Sequence, residues 1–256
     1  MSVRNRFWAA TLCLGVSAGW SALSLAADGS PTAVVAAAVA DSARPEADRA
    51  RDVDRLPAEL VALTGIRPGS KVAEIMPGGG YFTRIFSKVV GPQGVVYAWV
   101  PPPPPNAAPG RDLGAPLRAL AEAGYPNVKV AGLDPAVPLP EQVDLVWTSL
   151  NYHDLHNRPN ADLSATNRMA LNALKPGGIY VVIDHAAEKG SGARDSSTLH
   201  RIDPDLVRKE VTSVGFEVAS ESQLLRHAED THTQPSREVS RGKTDQFVFL
   251  FRKPKG

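Results

Sequence analysis

The stretch Val72-Ala73-Glu74-Ile75-Met76-Pro77-Gly78-Gly79-Gly80-Tyr81-Phe82-Thr83 decides how the rest of the chain is read. It passes from a short apolar run through a proline and three glycines into a segment with helical spacing. A strand, a glycine turn and a helix start follow from that order. In open α/β sheets ligands sit beyond the carboxyl ends of strands, at turns of this kind. Glycines let backbone approach a ligand closely, and free N–H groups at the helix start attract an anionic group such as a carboxylate.

Outward from this turn, short apolar strands alternate with amphipathic helices. Lys71–Met76, Val95–Val100, Val128–Gly132, Val143–Ser149 and Ile179–Asp184 read as strands. Tyr81–Val89, Asp112–Ala123 and Ala161–Leu174 read as helices between them. Such alternation predicts a mainly parallel sheet covered on both faces. The end differs: a helix from Asp203 or Pro204 to Ser213 precedes strands at Phe216–Gln223 and Gln246–Arg252, with an aperiodic polar stretch, Arg226 to Thr244, between them. An antiparallel pair at one sheet edge fits this better than another crossover. The tract Pro101–Pro105 reads as a stiff lip in a loop.

The chain has 256 residues, with Lys+Arg 28 against Asp+Glu 27, and 43% of it is hydrophobic. That composition excludes collagen-like, coiled-coil and wholly disordered chains. The near-zero net charge gives no electrostatic case for a nucleic acid partner. Arg4 and Arg6, the apolar stretch Phe7–Leu25 and the small residues Ala26-Ala27 form the three parts of a secretory signal peptide. The expected organisation is a signal over residues 1–27, a flexible leader over 28–45 and one domain over 46–256. An exported, periplasmic protein follows, without stable membrane insertion once the signal is cleaved; an uncleaved N-terminal anchor is the rival. The single cysteine, Cys13, falls inside the signal, so the mature chain has no disulfide or thiolate nucleophile. Cleavage leaves 26 basic against 27 acidic residues.

The glycine turn, the run Leu174-Lys175-Pro176-Gly177-Gly178 and the antiparallel ending resemble the class I S-adenosylmethionine-dependent methyltransferases. The tail Gly242-Lys243-Thr244-Asp245-Gln246-Phe247 is similar to that of an exported methyltransferase family. The resemblance covers about Asp48 to Pro254. It implies a Rossmann-like, seven-stranded sheet with an antiparallel C-terminal edge pair, S-adenosylmethionine as cofactor and a small-molecule or otherwise unknown methyl acceptor. It implies that Glu74 helps hold the methionine part of the cofactor through the turn Pro77-Gly78-Gly79-Gly80, and that Asp134 meets the adenine amino group. Met76 stands where the family has its first glycine. Trp99 ends the second strand where the family has a ribose-holding acid; it offers a face for adenine but cannot accept two hydroxyl hydrogen bonds.

Asn151-Tyr152-His153-Asp154, after the fourth strand, occupies the loop that faces the transferred methyl in that superfamily. His153 or Asp154 is the candidate base, and Asn151 and Tyr152 candidate acceptor-orienting groups. The other reading makes this a strand cap with Asp154 at a helix start. His185 and His200 lie on further connections beyond strand ends and are candidates for the same acceptor pocket. No ligand spacing such as His-Glu-x-x-His occurs, so no metal is assigned. Arg237, Arg241 and Lys243 read as a solvated loop face with an outside option of meeting an anionic acceptor. Two other functions stay open: a non-catalytic small-molecule-binding protein on a degenerate methyltransferase fold, and a hydrolase or isomerase using the His/Asp cluster.

Overall fold

A computed structural model describes Met1 and residues 31–103 and 106–256. Apart from Met1, the predicted signal segment lies outside the described residues, as do Pro104 and Pro105.

Six runs that carry apolar residues and one polar edge run form one sheet: β1 (Lys71–Ile75), β2 (Val95–Val100), β3 (Val128–Gly132), β4 (Val143–Ser149), β5 (Leu174–His185), the polar β6 (Glu217–Ser222) and β7 (Gln246–Arg252). Their order is β3-β2-β1-β4-β5-β7-β6. The first five are mutually parallel, and β7 runs antiparallel to both β5 and β6. The strand order therefore reverses between β1 and β4, which pair directly. Crevices open at such switch points.

Residues alternate across the pleat and supply two cores. On one face α1 (Pro31–Val39), α4 (Pro57–Ala62), α5 (Tyr81–Val90) and α6 (Ala115–Glu122) cover Val72, Val96, Ala98 and Trp147. On the other, α7 (Tyr152–His156), α8 (Leu163–Ala173) and α9 (Pro204–Ser213) cover Ile75, Tyr97, Trp99 and Val182. Two further short helices, α2 (Glu46–Arg49) and α3 (Asp52–Arg55), join α1 to α4.

Two expectations need correction here. Residues 31–45 are no flexible leader: Val35 and Ala38 of α1 are buried in the first core, and Arg44, fully buried, forms a bidentate pair with Asp52 at 2.8 Å. The fifth strand begins at Leu174 rather than Ile179, taking the Lys-Pro-Gly-Gly run into the sheet with a register shift between Val143 and Leu145. The stretch 226–244 contains turns and no helix or strand.

Candidate functional site

β1 stops at Ile75 because Met76 leaves extended geometry: its φ is +51°, a conformation that costs a non-glycine residue about 1–2 kcal/mol. Its N–H donates to the Trp99 carbonyl at 2.9 Å, and its carbonyl accepts from Asn151 Nδ2 at 3.0 Å. Gly78 follows at φ +58°. A Cβ built on Gly78 or Gly79 meets no atom within 4 Å, so the turn presents bare backbone to the crevice. A cavity of about 400 Å³ lies there, walled by the glycine turn, Val100, Pro101, Leu113 and Leu117, with Asp112 at its polar side. Arg84 braces the turn from outside, donating to the Gly79 carbonyl at 2.8 Å and to Asp48 at 3.0 Å.

Glu74 sits beneath this turn and does not line the cavity. It is buried and accepts from the Thr83 hydroxyl at 2.6 Å, which ties β1 to the first turn of α5. Burial pushes its carboxyl up to about 7, against the Thr83 hydrogen bond and the fields of Arg55 and Arg84.

A second cavity, of about 360 Å³, lies beyond the ends of β4, β5 and β7. Leu60 and Phe82 form its apolar floor, Ser149, Leu150 and His185 its strand side, and Thr244 and Gln246 the wall given by the tail motif. Four arginines, Arg51, Arg55, Arg237 and Arg241, reach it, against Asp54 as its one acid. Arg241 Nε pairs with Asp54 at 2.7 Å, and the same guanidinium donates to the Ala50 carbonyl at 2.9 Å. This clasps the 226–244 loop to the N-terminal helices. Gly242, at φ +71°, permits the approach: a Cβ there would stand 2.5 Å from Asp54 Oδ1. Arg237 and Arg241 are exposed loop residues that also line the cavity, while Lys243 does not line it.

Beside this cavity the structure gathers His153, Asp154, Asp184, His185 and His200. His153 is buried; its backbone N–H donates to Asp184 Oδ2 at 2.8 Å, and its Nδ1 lies 2.8 Å from Asp184 Oδ1. An ionised Asp184 therefore fixes the proton on Nδ1 and leaves Nε2 as the acceptor. Burial opposes charge on His153, but the hydrogen bond and charge of Asp184, aided by Asp154, raise its pKa above the ordinary value. The His153 ring is 5.4 Å from His200 and 6.5 Å from His185. Asp154 Oδ1 lies 3.4 Å from His153 Nε2 and 3.8 Å from His200 Nδ1. One ligand atom from each of these three falls within 4.8 Å of the others. His185 lines the cavity, has a buried Nδ1 with no hydrogen-bond partner, and is pulled down to about 4 by burial, against the Asp184 charge.

Four expected site residues have other places. Trp99 lies in the sheet core, 1% exposed, on the face opposite Ala98, so it offers no ring to a ligand. Asp134 is an exposed turn residue accepting from the Ala136 N–H at 2.9 Å, and it does not line the glycine-turn cavity. Tyr152 is fully buried, donating to Glu210 at 3.0 Å and accepting from Asn167 at 2.9 Å. Asn151 spends its amide on the Ile75 and Met76 carbonyls and its oxygen on Thr148, so it braces the glycine turn instead of orienting an acceptor. Asp112 was missed. Its signal was an acid on the connection after β2, displaced past the proline tract; it now accepts from the Gly114 N–H at 2.9 Å and pairs with Arg118.

Strand order and glycine turn together define the class I methyltransferase fold. The chain superposes on a SAM-dependent methyltransferase from Aquifex aeolicus with a TM-score of 0.55 at 18% identity, covering 80% of this chain and 95% of that one. It superposes equally, TM-score 0.55 at 17% identity, on the [4+2]-cyclase SpnF, covering 85% of this chain and 86% of that one. In sequence it is 27% identical over 194 residues to the ubiquinone/menaquinone biosynthesis C-methyltransferase UbiE of Saccharophagus degradans, a span of 74% of this chain and 70% of the relative. No protein-family profile matches the chain. In sequence the chain is thus similar to an S-adenosylmethionine-dependent methyltransferase, and its fold is that of the class I enzymes.

Proposed function

We propose that the chain is an S-adenosylmethionine-dependent methyltransferase whose cofactor binds over the glycine turn and whose acceptor enters the arginine-lined cavity. The observation that carries this is the pair of cavities at the ends of the adjoining strands β1 and β4, one over bare glycine backbone and one walled by His185. The first fits the nucleoside: its wall is largely apolar, Gly78 and Gly79 leave room for close approach, and Asp112 supplies an acceptor for sugar hydroxyls. When bound, S-adenosylmethionine supplies an electrophilic methyl group. The residues of this chain hold, orient and deprotonate the acceptor. Positioning is the larger contribution to rate, and proton removal adds to it. His185 stays neutral at pH 7 and meets the acceptor as a hydrogen-bond or proton acceptor; His153, held by Asp184, is the stronger base behind it.

Calorimetric titration with S-adenosylmethionine tests the reading. Saturable binding is expected, lost in Gly78→Val because the new side chain enters the space the ligand needs and strains a left-handed residue. Absence of binding to the wild type rejects it. A second reading, a binding protein that has lost transfer chemistry, draws on Met76 in the first-glycine position and on the missing acid at the end of β2; binding with no methyl product from any acceptor supports it. We also read residues 1–27 as an export signal; among the described residues no helix is long and apolar enough to cross a membrane. Cell fractionation with mass spectrometry of the mature N-terminus tests export, and an unprocessed cytosolic chain refutes it.

A further inference from the structure

The second cavity is unusual in where its charge goes. Among the described residues Arg55 makes no ion pair; its guanidinium lies over the rings of Tyr81 at 4.3 Å and Phe82 at 5.0 Å. Cation–π contact holds the side chain in place but does not neutralise it. Arg55 is half-buried, and a cation drawn part-way out of water is costly unless a counter-charge meets it. The nearby acids are otherwise engaged. Asp54 is taken by Arg241, Asp48 by Arg84, and Glu74 is tied to Thr83 with its carboxyl raised to about 7. Burial, and next the like charge of Arg51, pull the Arg55 pKa down to about 10. Arg51 and Arg237, both exposed, line the same cavity, and His185 adds a neutral ring.

We infer that this cavity selects an acceptor carrying an anionic group, a carboxylate or a phosphate, which docks on Arg55 and Arg237 and so brings the rest of the molecule against His185. The planar guanidinium fork suits both groups, since each presents paired oxygens to it. The assignment rests on the methyl-transfer reading for the word acceptor, and on the cavity alone for the word anionic. A neutral acceptor would leave Arg55 without a counter-ion in the complex.

The test uses the purified full chain at low ionic strength. Inorganic phosphate and succinate are titrated calorimetrically, with S-adenosylhomocysteine titrated in parallel to read the cofactor cavity. At least one anion is expected to bind saturably, and Arg55→Gln and Arg237→Gln are each expected to weaken it about tenfold or more, the scale of a lost charge-assisted hydrogen bond. Affinity for S-adenosylhomocysteine should be unchanged in both variants. Arg237 stands on the exposed loop, so its variant keeps the test decisive if loss of the Arg55 ring contacts impairs folding. Preference for phosphate or for succinate identifies which group the site takes. No saturable heat from either anion, or equal affinity in wild type and variants, overturns the inference. Wild-type protein that binds anion but not S-adenosylhomocysteine overturns the methyl-transfer reading and leaves the anion site standing.

Discussion

Glu74 is an acid sealed under the ligand turn, with its carboxyl raised to about 7 by burial. A folded-state pKa above the unfolded one means that the folded chain holds its proton more tightly. The contribution of Glu74 to stability is therefore greatest below about 4.5 and declines as pH rises to about 7, by roughly 3 kcal/mol. Glu74→Gln keeps the Thr83 hydrogen bond and removes the titration. Denaturant melts at pH 4 and pH 8 should show a flatter stability profile for the variant, which at pH 8 matches or exceeds the wild type. His153 has the opposite dependence on a partner. Asp184 raises its pKa, so the pair stabilises the fold below pH 6.5 and ceases to do so as pH climbs through the folded value. In Asp184→Asn burial is opposed only by the weaker field of Asp154, and the His153 ring proton followed by NMR should titrate below its wild-type value. The variant also weakens two backbone-to-carboxylate bonds, at a cost of about 1–3 kcal/mol.

At the level of elements, strands were legible where apolar runs stood between glycine and proline punctuation, and β2, β3, β4 and β7 begin and end at the residues their composition suggests. The glycine turn was legible for the same reason. α1 was not, because an Ala/Val run has no polar stripe to reveal a period, and its buried residues, Val35 and Ala38, are small. Trp99 was misread for want of parity: on β2 it shares a face with Val95 and Tyr97, all three in the second core, and counting by twos from either marks it as buried. Nothing local foretold the clasp at Gly242, whose neighbour Asp54 is far away in sequence. It gives a sharp test. Gly242→Ala puts a Cβ 2.5 Å from Asp54 Oδ1 in a left-handed conformation, so the Asp54 side chain or the loop must shift and the clasp loosens. We expect a loss of about 1–2 kcal/mol in unfolding free energy and faster proteolysis within 226–244, with the sheet intact by far-ultraviolet circular dichroism.

Across the whole molecule, the N-terminal helices are part of the domain. Removing residues 1–45 deletes α1 and the buried Arg44, leaving Asp52 with only its Tyr81 hydrogen bond at 2.5 Å. Losing this half-buried ion pair and the apolar burial of α1 both destabilise the rest of the chain. A chain starting at residue 46 should melt well below one starting at residue 31; equal melting temperatures would return residues 31–45 to the status of a leader. The segment at α3 carries Arg51, Asp54 and Arg55, so the arginine-lined cavity takes its walls from the N-terminal segment, the ends of the middle strands and the C-terminal loop.

β7 follows β6 in the chain yet lies inside it in the sheet, between β5 and β6. During synthesis the parallel strands β1 to β5 can assemble as they emerge, but β6 has no hydrogen-bonding neighbour until residues 246–252 arrive to slip in beside β5. For that interval the ribosome holds a half-built protein whose open β5 rim invites association with other nascent chains. Thr244, just before β7, and Gln246, its first residue, complete one wall of the arginine-lined cavity at that same moment, so the cavity closes only as folding ends.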